Sequence, residues 1–241
     1  MQNSVATDYT LFAPKVRYTS TFDDEFDAMS TWCAQLELGY LDERDDDAPQ
    51  VVGGYAEFAI INVGEHPIDD LLDSLDANHF SALFDGADVA PAVQEQWEDA
   101  PFNRILIVTH VEIAEPLRGQ DLGLWLVAEV IARMSSPIDT LVLLYPDPAA
   151  AWVSAVAEVA GAEALMRYWQ RCGLVPIRHW PQFLGATTAY SYLARARTAL
   201  RSVNDVRITV PASLIGQELP DDLRHTIMTN LEPVGLRLVR D

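Results

Sequence analysis

The first hundred residues alternate between strand-like and helix-like hydrophobic patterns. Three runs rich in β-branched and aromatic residues, 15–22, 34–41 and 51–63, are typical of strands, and the acidic loop between the last two predicts a hairpin. Pro67 then opens a segment in which Ile68, Leu71, Leu72 and Leu75 recur at helical spacing, which predicts an amphipathic helix. A weaker helical piece follows around residues 94–98. Residues 65–101 are therefore predicted to form a helical excursion lying over a sheet.

The middle of the chain carries the strongest pattern. Residues 104–113, RILIVTHVEI, begin with an almost continuous apolar run, as expected for a central strand covered on both faces. A short turn, 114–119, leads to a helix predicted over 121–134, and a second apolar strand follows at 140–145. Strand, helix and strand at this spacing predict a βαβ unit with two parallel strands.

The pattern is less regular towards the C-terminus. The alanine-rich stretch 149–160 is predicted to be helical until Gly161 interrupts it, and a further helix, 163–171, is predicted to end at Gly173. Residues 174–178 and 189–193 are predicted as the last strands of the sheet. The tail, 203–241, contains two strand-like segments, VRITV and LRLV, on either side of a helix-like stretch that begins at residue 220.

Length and charge narrow the class of protein. A chain of 241 residues can bury a core without disulfides or a structural metal. Its formal net charge of −20 disfavours nucleic acid as a partner and favours cationic ones. The sequence lacks an apolar run of membrane-spanning length and a signal-peptide pattern, so we expect a cytoplasmic protein with no membrane contact. The two cysteines and the spacing of the five histidines predict no metal site, and a homodimer remains open.

One turn is a candidate binding site. The segment RGQDLG, from Arg118 to Gly123, joins a buried strand to a helix, so that backbone N–H groups and the positive end of the helix dipole converge there. Such a turn can bind phosphate or pyrophosphate. Gly119 and Gly123 would let the backbone approach a ligand closely and let the helix pack tightly against the sheet.

Strand, Arg-Gly-x-x-Leu-Gly turn and long helix together resemble motif A, R/Q-x-x-G-x-G/A, of the GNAT superfamily of acyl-CoA-dependent N-acyltransferases. Later in the chain, ALMRYWQRCGL at 164–174 is similar to the family's late helix, A-x-x-F-Y-x-x-x-G-F. The resemblance covers roughly residues 103–177. Asp121 stands at the first glycine of motif A, and we expect its side chain to point away from the ligand. Trp169 stands where relatives often have a tyrosine proposed to protonate the thiolate.

The resemblance implies an α/β (α+β mixed) fold with a mixed central sheet that splays after its central strand, and with helices on both faces. Residues 1–202 would form the GNAT-like domain, with 65–101 as an insertion and 203–241 as a C-terminal extension. Acetyl-CoA or another acyl-CoA would be the co-substrate, with its pantetheine arm in the gap and its pyrophosphate on the turn. The cofactor-binding residues implied are Val111, Ile113, Arg118, Gly119, Gln120, Asp121, Leu122, Gly123, Leu124 and Trp169.

Acyl transfer of this kind needs a base that takes a proton from the amine and an acid that protonates the thiolate. Strand periodicity places His110 and Glu112 on one face, opposite Ile107, so either is a candidate base, with a structural ion pair as the alternative. Relatives tend to carry a base at the positions of Ile107 or Thr109, and a β-bulge in the strand would bring Glu112 to that side.

Two further residues are candidates for the chemistry. Glu57, on the predicted hairpin, is a third candidate base. Tyr145, at the end of its strand, is a candidate acid or a wall of the acyl pocket, with plain packing as the alternative.

The sequence thus predicts an N-acyltransferase that moves an acetyl or other acyl group from acyl-CoA to an amine. The acidic composition favours a cationic small molecule or peptide as that acceptor. A catalytically silent GNAT-like domain that binds a ligand or a protein is the alternative, and an unrelated α/β interaction protein is a third hypothesis.

Overall fold

Twelve strands and five α-helices fall within the residues that the computed structural model describes, namely 8–21, 26–40, 50–98, 100–146, 155–216 and 236–239. The strands are β1 (Asp8–Thr21), β2 (Met29–Tyr40), β3 (Gln50–Asn62), β4 (Phe84–Asp85), β5 (Asp88–Val89), β6 (Arg104–Ile113), β7 (Thr140–Leu144), β8 (Val175–Ile177), β9 (Trp180–Thr187), β10 (Arg207–Pro211), β11 (Ile215–Gly216) and β12 (Leu236–Val239). The helices are α1 (Ile68–Ser74), α2 (Pro91–Gln94), α3 (Leu122–Met134), α4 (Ala155–Gln170) and α5 (Tyr192–Ala199).

One large mixed sheet organises the chain. Its strand order is β10-β1-β2-β3-β6-β7-β9-β8, in which β6 and β7 are parallel and the other neighbours are antiparallel. β12 pairs with β3 over residues 50–52, next to the stretch where β3 pairs with β6. Both β10 and β12 of the 203–241 segment therefore belong to the main sheet.

Helices cover the two faces of this sheet and form two cores. On the α3 face, α3, α4 and α5 pack against strand residues such as Phe58, Leu106 and Val142. On the α1 face, α1 and α2 pack against the alternate strand residues, including Ile107 and Leu143. The structure therefore confirms a mixed α/β protein with a large mixed sheet and helices on both sides.

The predicted central strand and helix fall almost where the pattern places them. β6 spans all of residues 104–113, and α3 begins one residue after Asp121, which is its N-cap. The parallel register of β6 with β7 runs from Arg104 opposite Thr140 to Val108 opposite Leu144. The βαβ unit predicted from spacing is therefore confirmed.

Two predictions in the C-terminal part are wrong. Gly161 does not interrupt the helix, because α4 runs from Ala155 to Gln170; this glycine is exposed, and its cost in helix propensity, about 1 kcal/mol, does not break a helix that packs on one face. Residues 189–193 are not a strand. They form a turn and the start of α5, and the last long strand is β9, which Pro181 and Gly185 disguise in the sequence.

β1 extends further towards the N-terminus than predicted, starting at Asp8 rather than at residue 15. Its register shifts between Phe12 and Lys15, where Ala13 has a positive φ, and this irregularity with Pro14 hides the alternating pattern. The helix predicted from residue 220 lies outside the described residues. Within the described part of the chain, none of the helices is long and apolar enough to cross a membrane.

The first prediction concerns the α3-face core. Leu126 is fully buried in the middle of α3, so Leu126→Ala should lower the free energy of unfolding by about 2–5 kcal/mol through lost burial and a residual cavity. Urea denaturation measures the change. The matched control is Leu214→Ala, because Leu214 is 46% exposed and the same truncation there should cost less than about 0.5 kcal/mol. Equal losses in the two variants would contradict the assignment of the core.

Candidate functional site

A β-bulge lies in the middle of β6. His110 is opposite Glu57 on β3 and Val108 is opposite Phe58, so Thr109 is the extra residue, and its hydroxyl donates to the Glu57 carbonyl oxygen at 3.1 Å. The bulge inverts the strand's alternation, because Leu106 and Val108 lie on the α3 face before it and Val111 and Ile113 pack there after it.

The bulge changes one prediction about the face of His110 and Glu112. Without it these residues would lie opposite Ile107; with it they share the α1 face with Ile107. His110 Nε2 lies 3.8 Å from Glu112 Oε2. The predicted pairing of the two side chains is therefore present, on the face that the bulge selects.

Tyr55 completes this group from the neighbouring strand. It is opposite Glu112 in the β3–β6 register, and its hydroxyl donates to Glu112 Oε2 at 3.4 Å. Its ring stacks on the His110 imidazole, with 5.4 Å between centroids. Burial, and then the Glu112 carboxylate, raise the pKa of Tyr55, so this hydroxyl keeps its proton at neutral pH. His110 Nε2 is buried and makes no hydrogen bond within the described residues.

Glu57 lies beside this group, and its surroundings perturb the pKa of its carboxyl. In the registers of β3 it is opposite both His110 and Cys33. Burial raises its pKa, and the nearby His110 only partly offsets that effect. Burial, with the charge of Glu57, also raises the pKa of Cys33 to about 12, so Cys33 is a protonated, buried thiol rather than a nucleophile. Among the described residues, no set of three or more acidic, His or Cys side chains could hold a metal ion.

The turn before α3, on the other face of the sheet, contains two residues with a left-handed backbone. Gly119 and Asp121 both have positive φ, 82° and 57°, so the chain reverses sharply before the helix. The first N–H groups of a helix have no partner within it, and the first intrahelical bond here is donated by Trp125 to the Asp121 carbonyl oxygen at 3.0 Å.

One of these amides already has a partner. The N–H of Leu124 donates to the Tyr168 hydroxyl oxygen at 3.2 Å, which leaves the amides of Leu122 and Gly123 at the start of α3 without a helical acceptor. Burial raises the pKa of Tyr168 to about 12, so the hydroxyl also keeps a proton that it can donate. Of the backbone N–H groups expected to face a ligand at this turn, that of Leu124 is therefore already occupied.

Gly123 lies where helix α3 comes close to its neighbours. A Cβ on this residue would lie 3.0 Å from the Tyr168 hydroxyl, which is a tight contact, and at ordinary contact distances from Ile113 Cγ1, 3.5 Å, and from the Trp169 ring, 3.9 Å. Trp169 is buried and contacts Tyr168 edge-on. Ile113 of β6, Gly123 of α3 and Trp169 of α4 therefore meet at one place.

The Asp121 carboxylate has a partner of opposite charge. It forms a bidentate pair with the Arg171 guanidinium, with 2.8 Å between Nη1 and Oδ1. Because the carboxylate is bound to Arg171, it makes no capping hydrogen bond to α3. The negative charge that would repel an anion at the turn is therefore paired.

Arg118 and Tyr145 have other contacts. Arg118 Nε donates to the Ile113 carbonyl oxygen at 2.9 Å, so this side chain folds back over the end of β6. Tyr145 belongs to an aromatic group with His79 and Phe183, with ring centroids 4.8 and 5.3 Å from its own. The contacts of Tyr145 are therefore those of a packed aromatic residue, which was the alternative to a role as acid.

Pairing between β6 and β7 stops before β6 ends. Leu144 is the last residue of β7 and lies opposite Val108, whereas β6 continues for residues 109–113. Within the described residues, this last stretch of β6 pairs with β3 on one side only. Residues 114–117, which include a short 3-10 turn, connect it to the turn at Arg118.

Tyr55, Tyr168 and Arg171 are not among the site residues predicted from the sequence. The signal for Tyr55 was present, since the hairpin and central strand were both predicted, but only the bulged register shows that it faces Glu112. Tyr168 and Arg171 act across 44 and 50 residues of sequence, a separation at which no local pattern predicts contacts.

In comparisons with known proteins, the chain matches no protein-family model, and no curated protein or solved structure is significantly similar to it. Function must therefore be argued from the residues and geometry of this chain.

The second prediction concerns Glu57. Its raised pKa means that the folded protein holds this proton more tightly than the unfolded chain, so ionisation of Glu57 costs stability as the pH rises above its ordinary value of 4.5. Glu57→Gln removes that cost. The advantage of the variant over the parent protein in free energy of unfolding should increase with pH from 4.5 and then level off.

Urea denaturation at several pH values between 4 and 8 tests this. The exposed Glu98 supplies the control, because Glu98→Gln should follow the parent protein at every pH. An advantage of Glu57→Gln that stays constant or shrinks with rising pH would contradict the burial of an ionisable Glu57.

Proposed function

We propose that the protein is a GNAT-like N-acyltransferase that transfers an acetyl or other acyl group from acyl-CoA to an amine. The observation that carries the proposal is the last stretch of β6, residues 109–113, which pairs with β3 but no longer with β7 and lies shortly before a turn with amides at the start of a buried helix. An extended pantetheine arm can pair with such an edge as a strand would, and a pyrophosphate can accept from the amides of Leu122 and Gly123.

The charge at the turn is compatible with an anionic ligand. A carboxylate about 4 Å from a phosphate would oppose binding by about 1–4 kcal/mol per charge pair, depending on screening. The bidentate pair with Arg171 neutralises Asp121 and also brings a guanidinium to the rim of the turn. The substitution of aspartate for glycine in the motif is thereby compensated.

The base belongs to the α1 face. A neutral amine that attacks the thioester carbonyl forms a C–N bond and must lose a proton as the C–S bond breaks. Glu112, oriented by Tyr55 and adjacent to the buried Nε2 atom of His110, is the carboxylate placed to take that proton, directly or through water. Glu57 is the reserve base, because its raised pKa brings it closer to neutral pH.

The Tyr168 hydroxyl, rather than Trp169 or Tyr145, stabilises the departing thiolate. An indole N–H cannot protonate a thiolate at neutral pH, and Tyr145 is held in an aromatic group with His79 and Phe183. Tyr168 accepts the Leu124 N–H and still carries its own proton, which it can donate in a hydrogen bond to the departing sulfur. The acceptor is an amine that is cationic in solution, so an acidic protein of net charge −20 attracts it. The amine attacks in its neutral form.

A catalytically silent domain with the same architecture is the second candidate. The specific observation in its favour is the hydrogen bond of Leu124 to Tyr168, since a permanently occupied amide offers less to a pyrophosphate. The two candidates differ in turnover. Release of free thiol from acetyl-CoA in the presence of amines such as spermidine indicates transfer, and binding without release indicates the silent domain.

The third prediction is that acetyl-CoA protects the fold. At a concentration about 100 times Kd the ligand should add about 2.7 kcal/mol, which raises the Tm of a chain of this size by about 5–10 °C. Gly123→Glu should abolish the protection, because it places bulk and negative charge where the helix approaches Ile113 and Tyr168. Thermal unfolding with and without acetyl-CoA measures both effects.

Gly161→Glu is the matched control, since it adds the same side chain at an exposed glycine with no neighbour within 4 Å. It should keep the full Tm shift. If Gly123→Glu does not fold, Tyr168→Phe tests the same site with a smaller change, and it should retain binding and reduce thiol release. The absence of any Tm shift in the parent protein would overturn the proposal.

The fourth prediction concerns the base. Glu112→Gln should lower kcat for thiol release by about 10²–10⁴-fold, because it removes a general base, while the acetyl-CoA-dependent Tm shift stays unchanged. Glu98→Gln, at an exposed position, should leave both quantities unaltered. If turnover is unchanged in Glu112→Gln, Glu112 is not the general base, and His110 and Glu57 become the candidates for that role.

A further inference from the structure

A cavity runs along the flank of α3, and none of the turn residues 118–124 lines it. It lies between α3, α5 and the helical turn 201–205 that follows α5, and it has a volume of about 680 Å³. This volume is within the range of small-molecule sites. Its lining is mixed, with apolar parts contributed by residues such as Trp125, Ile131 and Leu193 and polar parts by residues of α5 and the following turn.

Hydrogen-bond donors without acceptors face this cavity from one end. Trp125 Nε1 donates to Asn204 Oδ1 at 3.0 Å, which fixes the amide orientation and leaves the Asn204 NH₂ group as a donor. Arg201 also lines the cavity, and among the described residues its guanidinium forms no ion pair. Both residues belong to the turn after α5, so their donors lie on one short segment.

The charge of the lining is opposite in sign to that of the protein. Arg197 and Arg201 are its cations and Glu129 is its single acid. Glu129 accepts from Arg197 Nε at 2.7 Å and from Arg133 Nε at 3.1 Å, so its charge is more than neutralised. In a chain of net charge −20, this is a local positive site, and it leaves Arg201 available to an external anion.

We propose that this cavity binds a small organic anion, with its acidic head on Arg201 and Asn204 and its apolar body against Trp125 and Ile131. The proposal goes beyond acyl transfer and does not depend on it, because the turn and the α1-face residues take no part. A guanidinium and an amide donor select a carboxylate or a phosphate head, and the apolar part of the lining favours an organic anion over a small inorganic one.

Octanoate is the probe, and octan-1-ol, with the same apolar body and no charge, is its comparison. The readout is the indole N–H resonance of Trp125 in NMR spectra of the full chain, assigned with Trp125→Phe. Octanoate should shift this resonance saturably, and octan-1-ol should bind at least about tenfold more weakly, since a charge-assisted hydrogen bond is lost. Octyl phosphate distinguishes the two possible heads, and tighter binding of either one supports the site.

Arg201→Ala should weaken octanoate binding by about tenfold, while Arg195→Ala, at an exposed arginine of α5 that does not line the cavity, should not change it. Ala194→Phe fills the cavity from its rim and should abolish the shift. The proposal is overturned if octan-1-ol binds as well as octanoate, if Arg201→Ala and Arg195→Ala behave alike, or if no ligand shifts the Trp125 resonance.

Discussion

The close approach of the first turn of α3 to the end of β6 is the constraint on which the site depends. Gly123 favours it, because a Cβ there would lie only 3.0 Å from the hydroxyl of Tyr168 and would already touch Ile113. This contact brings the N-terminal amides of α3 beside the last residues of β6, and it brings α4 against both through Trp169. Without it, the parallel strands and helix of the βαβ unit could form, but the strand edge and the amides would be separate features.

The turn also shows how a local cost is offset by a contact distant in sequence. A left-handed backbone at a non-glycine residue costs roughly 1–2 kcal/mol, and Asp121 adopts it where glycine would do so freely. Aspartate tolerates this conformation better than most residues, and its bidentate pair with Arg171 fixes the side chain. An exposed pair of this kind contributes only about 0–1 kcal/mol to stability, so its larger effect is to set the local charge and the direction of the carboxylate.

The elements that define the fold were readable in the sequence because each carries its own period. β6, α3 and β7 show continuous apolar runs or helical spacing, and burial on both faces of the central strand produces that pattern. The bulge at Thr109 carries no such signal, since one extra residue shifts the register without changing composition. It decides which face His110 and Glu112 occupy, and therefore these two residues were predictable as candidates, but their face was not, and neither were Tyr55, Tyr168 and Arg171 elsewhere in the site. β9 was hidden for a related reason, because its packing overrides the poor strand propensity of Pro181 and Gly185.

Both proposed sites adjoin helix α3, and arginines of later elements pair with the two carboxylates at this helix. The N-cap Asp121 is partly exposed, whereas the buried Glu129 would by itself leave a negative charge against an apolar core. Burial alone would raise the pKa of Glu129, but hydrogen bonds from Arg197 and Arg133 outweigh it and hold that pKa below its ordinary value. Arg171 after α4 and Arg197 on α5 therefore neutralise α3 and attach the C-terminal helices to it. A strongly acidic chain thereby has cations beside the helix that both proposed anion sites adjoin.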